Sequence, residues 1–259
     1  MPSDWVEVEK VVATTRVKVR RKGEGPPLVV LHHDFGTPPD LPFYDLLAQS
    51  FDVVVPEHPG FGESERPVWM RSVRDLAALY RALLNELEVE RPILVGLGFG
   101  GWVAAEMATM GAGDVERLVL VGSMGIRPNE GFILDQALVG YMDYAQAAFE
   151  DPARFDAVYG AQPSNDQLEL WDICREMCFR IAWKPYMYSV SLPFLLSSLP
   201  VRTLLVWGRE DKIVPVSTAA QFEEALPDAT LSVIDNCGHA VDMEQPEALD
   251  GLIRNFCTG

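Results

Sequence analysis

Arg91-PILVGLGFGGWVAAEMA-Thr109 is the stretch that decides how this chain is read. Ile93, Leu94 and Val95 form a short apolar run suited to a strand buried on both faces. From Trp102 to Met110, strong helix formers recur at helical spacing. Only a very tight turn fits between the two, and Gly96, Gly98 and Gly100 occupy it. The middle residue of such a strand-to-helix turn is forced into strained backbone geometry, while small flanking residues let helix and strand approach closely. Gly98 accepts that geometry readily, but it brings no reactive side chain.

Strand and helix patterns alternate on either side of this unit. Val6 to Arg20 reads as two antiparallel strands, and Gly23 to Pro27 as the turn before a buried strand, Leu28 to Leu31. Val53 to Val55 is the next buried strand. Ser72 is placed to cap a helix from Val73 to Leu87, whose Val73, Leu76, Tyr80, Leu83, Leu84 and Leu87 follow one stripe. Further strands are read at Arg117 to Val121, Thr203 to Trp207 and Leu231 to Ile234, and helices at Ala219 to Leu226 and Pro246 to Phe256. This order predicts an α/β fold with a doubly wound, mostly parallel sheet. The alternation breaks over roughly 127–200, which reads as helical and is rich in aromatic and methionine residues. The expected organisation is a core of 1–126 and 201–259 with a helical cap insertion of 127–200. Most cap aromatics should pack as core, while some line an apolar cavity for a hydrophobic or aromatic ligand.

In open α/β sheets, sites lie beyond the carboxyl ends of the strands. Gly208-REDKIV-Pro215 follows one predicted strand and puts Asp211 in that position, and Asp235-NCGH-Ala240 does the same for His239. Asp211, His239 and Gly98 are therefore expected to converge. An imidazole oriented by a carboxylate is a general base near neutral pH.

Three segments carry a resemblance to a known family. The glycine turn is similar to the GxSxG nucleophile elbow, with Gly98 where the serine belongs. Leu28-VVLHHDF-Gly36 resembles the HGxxG oxyanion-hole loop, with His33 in place of its first glycine, and Val53-VVPEHPGFGE-Ser64 resembles a strand and loop ending in GxGxS. Over nearly its whole length the chain resembles the α/β-hydrolase fold superfamily, in the cap-bearing branch of esterases, epoxide hydrolases, C–C bond hydrolases and cofactor-free oxygenases. The resemblance implies an oxyanion hole made by the N–H of Phe99 and an N–H from the loop of His33, Asp34 and Phe35. It also implies that Asp211 orients His239. His33 must either point into the site or displace its loop, and His32 is expected to support that loop from beneath. Both departures from the family pattern, Gly98 and His33, fall at the expected site, which points to altered chemistry on an intact fold.

A chain of 259 residues with 48% apolar content suits one large core with an insertion. Its net charge of -17 opposes nucleic acid and anionic membrane surfaces as partners, since both require a basic footprint. The start, Met1-PSDWVEVE-Lys10, has no leader pattern, and no apolar stretch approaches a membrane span, so a cytoplasmic location is expected. Cys174 and Cys178 share a helix face and are read as packing residues, and Cys237, on the loop of His239, is poorly placed as a nucleophile. Glu57, His58, Asp34, His32 and His33 match no metal-ligand spacing, so no metal is expected. No organic cofactor is expected either, because GLGFGG lacks the context of a dinucleotide fingerprint.

Three functional readings are open at this point. In the first, the His239–Asp211 dyad acts as a general base without a covalent intermediate, on an ester, lactone or C–C bond through water or by deprotonation. In the second, the protein binds a ligand and has lost catalysis. In the third, Gly98 is an engineered change that inactivates a serine hydrolase. Oligomeric state is not readable from the sequence.

Overall fold

The computed structural model describes residues 4–258. Its spine is an eight-stranded sheet in the order β1-β2-β4-β3-β5-β6-β7-β8. β1 (Val6–Val12) and β2 (Thr15–Lys22) pair antiparallel, and β2 pairs antiparallel with β4 (Asp52–Pro56). From β4 onward the sheet is parallel, through β3 (Pro27–Leu31), β5 (Ile93–Leu97), β6 (Arg117–Val121), β7 (Thr203–Gly208) and β8 (Ala229–Ile234). The central strands are short apolar runs with nearly every residue buried, as a sheet covered on both faces requires.

The flanking helices follow from local sequence. In α2 (Val73–Glu86), the Ser72 hydroxyl accepts from the Asp75 amide, which caps the first turn, and the apolar stripe is buried. α3 (Phe99–Met110) starts directly after β5, and every residue from Phe99 to Ala108 is buried. It lies against β5, β6 and α2. Glu106, buried on α3, is held by Arg74 of α2 at 2.6 Å and by the Trp102 indole N–H at 3.3 Å. α1 (Pro42–Leu47) packs beside the C-terminal α10 (Pro246–Thr258), while α8 (Ser217–Ala225) lies against β7 and β8.

Between β6 and β7 the chain runs through α4 (Tyr141–Ala147), α5 (Pro152–Tyr159), α6 (Asn165–Ile181) and α7 (Leu192–Leu196). Phe149, Phe155, Tyr159 and Trp171 form one aromatic cluster with centroid separations of 5.1 to 6.2 Å, a small core within this segment. α6 also grips the core. Cys174 donates to the Phe61 carbonyl and Cys178 to the Asp34 carbonyl, so both thiols pack against the loops after β4 and β3.

Candidate active site

The turn after β5 has the geometry its glycines require. Gly98 lies at φ 53, ψ -111, a conformation that L side chains rarely adopt. Its amide donates to the Val121 carbonyl and its carbonyl accepts from Gly101 and Met124, so the turn is pinned to the neighbouring strand. Gly100 lies so close to the backbone of Leu31 and His32 that any Cβ there would collide with it. The Gly100 amide bonds the His32 carbonyl at 3.1 Å, which ties the elbow to the loop after β3.

Asp211, from the loop after β7, and His239, from the loop after β8, meet as expected. Asp211 Oδ1 accepts from the amides of Ile213 and Val214, both at 2.8 Å, and Oδ2 lies 2.8 Å from His239 Nδ1. A carboxylate oxygen accepts, so Nδ1 carries a proton and, in the neutral ring, Nε2 presents a lone pair. Burial alone pushes the imidazolium pKa down. The charge and hydrogen bond of Asp211, joined by the charges of Asp34 and Asp242, outweigh that effect and leave His239 above its ordinary value.

His33 points into the site and has a carboxylate of its own. Its Nε2 lies 2.8 Å from Asp242 Oδ1, with both side chains fully buried. By the same logic Nε2 donates and Nδ1 is left with a lone pair. Phe35 stacks on the His33 ring at 4.9 Å and fixes its plane. The His33 and His239 rings stand 5.2 Å apart, centroid to centroid. A Cβ built on Gly98 would fall 2.6 Å from His239 Nε2 and 2.7 Å from His33 Nδ1. The two rings thus occupy part of the space that a serine side chain at position 98 would need.

His32 has a different job. Its Nδ1 bonds the His33 carbonyl at 2.7 Å and its Nε2 accepts from the His58 amide at 2.8 Å, so neither nitrogen is free. Desolvation lowers its pKa to about 3, which keeps it neutral. His58 is equally engaged, between the His32 carbonyl and the Tyr80 hydroxyl. Both are buried struts that join the loops after β3 and β4. Asp34 is fully buried next to the site, and its Oδ2 accepts from the Tyr144 hydroxyl at 2.7 Å and from the Gln136 amide. Phe99 stands at the first position of α3, where a helix amide has no intrahelical partner. Cys237 is buried with its thiol pKa pushed up, mainly by desolvation, so it is held as a thiol.

Asp242, Gln136 and Tyr144 are site residues that the sequence reading missed. Asp242 and His33 lie 209 residues apart, and nothing in their spacing marks them as partners. The signal available was local: Asp242 falls three residues after His239, at the start of the short helix α9 (Val241–Glu244), beyond the carboxyl end of β8.

The open apolar cavity expected above the strand ends also differs from what is found. Beside Asp34 there is a crevice of only about 10 Å³, bounded by Phe35, Gln136, Tyr144, Trp171 and Arg175. A groove of about 760 Å³ runs along β1, β2 and α6, but its lining includes His32 and Glu57 and not Gly98, His33 or His239. Of the aromatic residues between β6 and β7, Tyr144 reaches the site, with its hydroxyl on Asp34 and its ring edge-on to Phe35.

A parallel sheet with a glycine elbow after β5, an acid after β7 and a histidine after β8 defines a hydrolase-type architecture. The chain matches the Alpha/beta hydrolase family over residues 28–251 and belongs to it. It is similar to 2-hydroxymuconate semialdehyde hydrolase of Pseudomonas sp. (strain CF600), with 27% identity over 96% of this chain and 92% of that protein. Another relative is a 2-hydroxy-6-oxononadienedioate/2-hydroxy-6-oxononatrienedioate hydrolase from Pseudomonas sp., 24% identical over 98% of this chain and 96% of that one. Among solved structures, a meta-cleavage product hydrolase from Pseudomonas fluorescens IP01 superposes with a TM-score of 0.77 at 24% identity, covering 97% of each chain. A bacterial membrane phospholipase A reaches a TM-score of 0.81 at 22% identity over 98% of this chain and 86% of that one. These structural likenesses define the fold. Among the described residues, no helix is long and apolar enough to cross a membrane.

Proposed function

We propose that this protein hydrolyses a carbonyl-adjacent bond in a small hydrophobic or aromatic molecule, using water directly where its relatives' motif places a serine. The observation that carries this reading is the pair of lone pairs converging on Gly98. His33 Nδ1 and His239 Nε2 are both buried and have no hydrogen-bond partner among the described residues. They face the point where a side chain at position 98 would begin. A water between them directs one hydrogen to each nitrogen and keeps an oxygen lone pair for attack. Its proton passes to His239 as the C–O bond forms, and Asp211 stabilises the resulting imidazolium. The Phe99 amide stands in the place of an oxyanion donor. When the tetrahedral intermediate collapses, the electron pair of the breaking bond goes to the leaving group, which takes the proton back from His239.

The two departures from the family pattern support this reading because they fit each other sterically. His33 occupies space that a serine side chain would need. A single inactivating change at position 98 leaves the presence of a second, carboxylate-backed imidazole at the same point without a reason. Substrate class follows from the relatives, so 2-hydroxy-6-oxo-dienoates join activated aryl esters and lactones as compounds to test. In this reading residues 127–200 act as the cap over the site.

The test is hydrolysis of that panel by the wild type and by His239→Ala, with oxygen-18 water to follow the incoming oxygen. A positioned general base contributes about 10²–10⁴-fold, and a loss of that size is expected. Turnover that survives His239→Ala undiminished would refute the dyad. Ligand binding without any chemical change, across the whole panel, would favour the binding-protein reading.

A further inference from the structure

We infer that the site binds a divalent first-row transition metal, of the Zn²⁺ kind, through His33 Nδ1, His239 Nε2 and Asp34 Oδ1. This rests on the water-nucleophile reading and deepens it: the attacking water remains, and the ion takes over the task of ionising it. His33, Asp34 and His239 each offer a ligand atom within 4.8 Å of the others. On these residues the buried atoms without a partner are His33 Nδ1, Asp34 Oδ1 and His239 Nε2. Orphaned buried polar atoms are rare, and each one requires an explanation. Here three acceptors face one another, and a cation satisfies all of them at once.

The outer contacts are those of a metal site. Each imidazole donates its other N–H to a carboxylate, His33 to Asp242 and His239 to Asp211, both at 2.8 Å. That arrangement fixes the ligating tautomer and raises the basicity of the ligand. The second oxygen of Asp34 is held by Tyr144 and Gln136. Two histidines and one carboxylate, with further positions open, form a set known in catalytic zinc sites and in non-haem iron sites.

Charge points the same way. Asp34, Asp211 and Asp242 are buried together, and no lysine or arginine is among the buried side chains of the described residues. Buried charges are usually paired or bound to metal. Three atoms within 4.8 Å of one another always have a point no more than about 2.8 Å from all of them, so shifts of about 0.7 Å reach zinc-ligand distances of about 2.1 Å. Gly98 is essential to this arrangement, because a Cβ there would lie 2.6 and 2.7 Å from the two nitrogens and obstruct the ion. With water as a fourth ligand, the ion would lower the water's pKa towards neutrality; both imidazole lone pairs being engaged on the metal, the proton released would leave to solvent and the leaving group would take its proton from solvent.

The experiment uses the full chain, stripped with a chelator and titrated with Co²⁺ and Zn²⁺ by calorimetry and by visible absorption. The expected result is one equivalent of Co²⁺ with the intense absorption of a low-coordinate site. Asp34→Asn should abolish saturable binding, and Asp242→Asn should weaken it about 10–100-fold. Should the variants fail to fold, X-ray absorption of the Zn²⁺-loaded wild type decides. Two imidazoles and oxygen ligands support the assignment, while sulfur or an all-oxygen shell overturns it. Binding unchanged in a folded Asp34→Asn protein also overturns it. If the stripped protein hydrolyses at its full rate and binds no metal tightly, the metal inference fails and the imidazole-base reading stands. If it binds metal through these residues yet hydrolyses nothing, the hydrolase reading fails and the metal site stands.

Discussion

At the scale of single residues, the glycine at position 98 and the histidine at position 33 are one feature. The position of Gly98 was legible in the sequence because a tight strand-to-helix turn needs glycines at fixed spacing. The direction of the His33 ring was not legible, since it depends on Asp242, 209 residues away, and on stacking with Phe35. This coupling gives a result that sequence reasoning alone would reverse. Gly98→Ser restores the residue expected of the family, yet its Cβ would meet both imidazoles at 2.6 and 2.7 Å and adopt a φ of +53. Overpacking of a filled site costs about 1–3 kcal/mol. The variant should therefore melt several degrees lower and fail to label with a fluorophosphonate probe of active serines. Gly98→Ser combined with His33→Gly removes one of the clashing rings and should gain labelling, at a further cost in stability because Asp242 then lies buried without its partner. Efficient labelling of the single variant would show that the rings yield easily and that the site is a serine hydrolase lacking only its nucleophile.

At the scale of elements, the sheet was readable and the contacts of the inserted helices were not. β3 through β8 are short apolar runs between turn residues, a local pattern that needs no knowledge of partners. Tyr144 on α4 and Gln136 before it look like ordinary helix and loop residues, and only tertiary packing brings both to the same oxygen of Asp34. The segment between β6 and β7 thus supplies two donors, Gln136 and Tyr144, that orient the Asp34 carboxylate. Hydrogen bonds to charged groups contribute about 1.5–3 kcal/mol each. Tyr144→Phe should lower stability by about that amount in urea denaturation and also reduce turnover. Because Gln136 shares the same acceptor, Tyr144→Phe and Gln136→Ala should combine non-additively, with the double variant losing more than the two single losses together. Simple additivity would mean that Asp34 is satisfied from elsewhere and that the two donors are independent.

At the scale of the whole molecule, the candidate site is sealed. Gly98, His33, Asp34, Asp242 and His239 are all buried, and the adjoining crevice of about 10 Å³ holds roughly one water and no aromatic substrate. In the proposed reading turnover requires a covering segment to move, and the segment between β6 and β7, which sets Tyr144 and Gln136 on Asp34, is the first candidate. The contacts identify which part. α6 is tied down by its thiols on the Asp34 and Phe61 carbonyls and by Arg180 on the Met70 and Val68 carbonyls. α4 reaches the core site through the Tyr144 hydroxyl and, at its C-cap, through the Ala148 carbonyl, which accepts from the Ala240 amide at 2.9 Å, and the residues before it include exposed Phe132 and Leu138. Elements with few buried contacts open at lower free energy than core strands. In hydrogen–deuterium exchange, residues 130–147 should exchange well before α6 and long before β5 and β6. A bound substrate analogue should slow exchange in 130–147 while leaving the strands unchanged. Equal protection of α4 and α6 would place the moving part elsewhere. Access would then have to come from the side of the groove along β1 and β2, which borders His32 and Glu57, and the substrate would approach the dyad past the loop after β3.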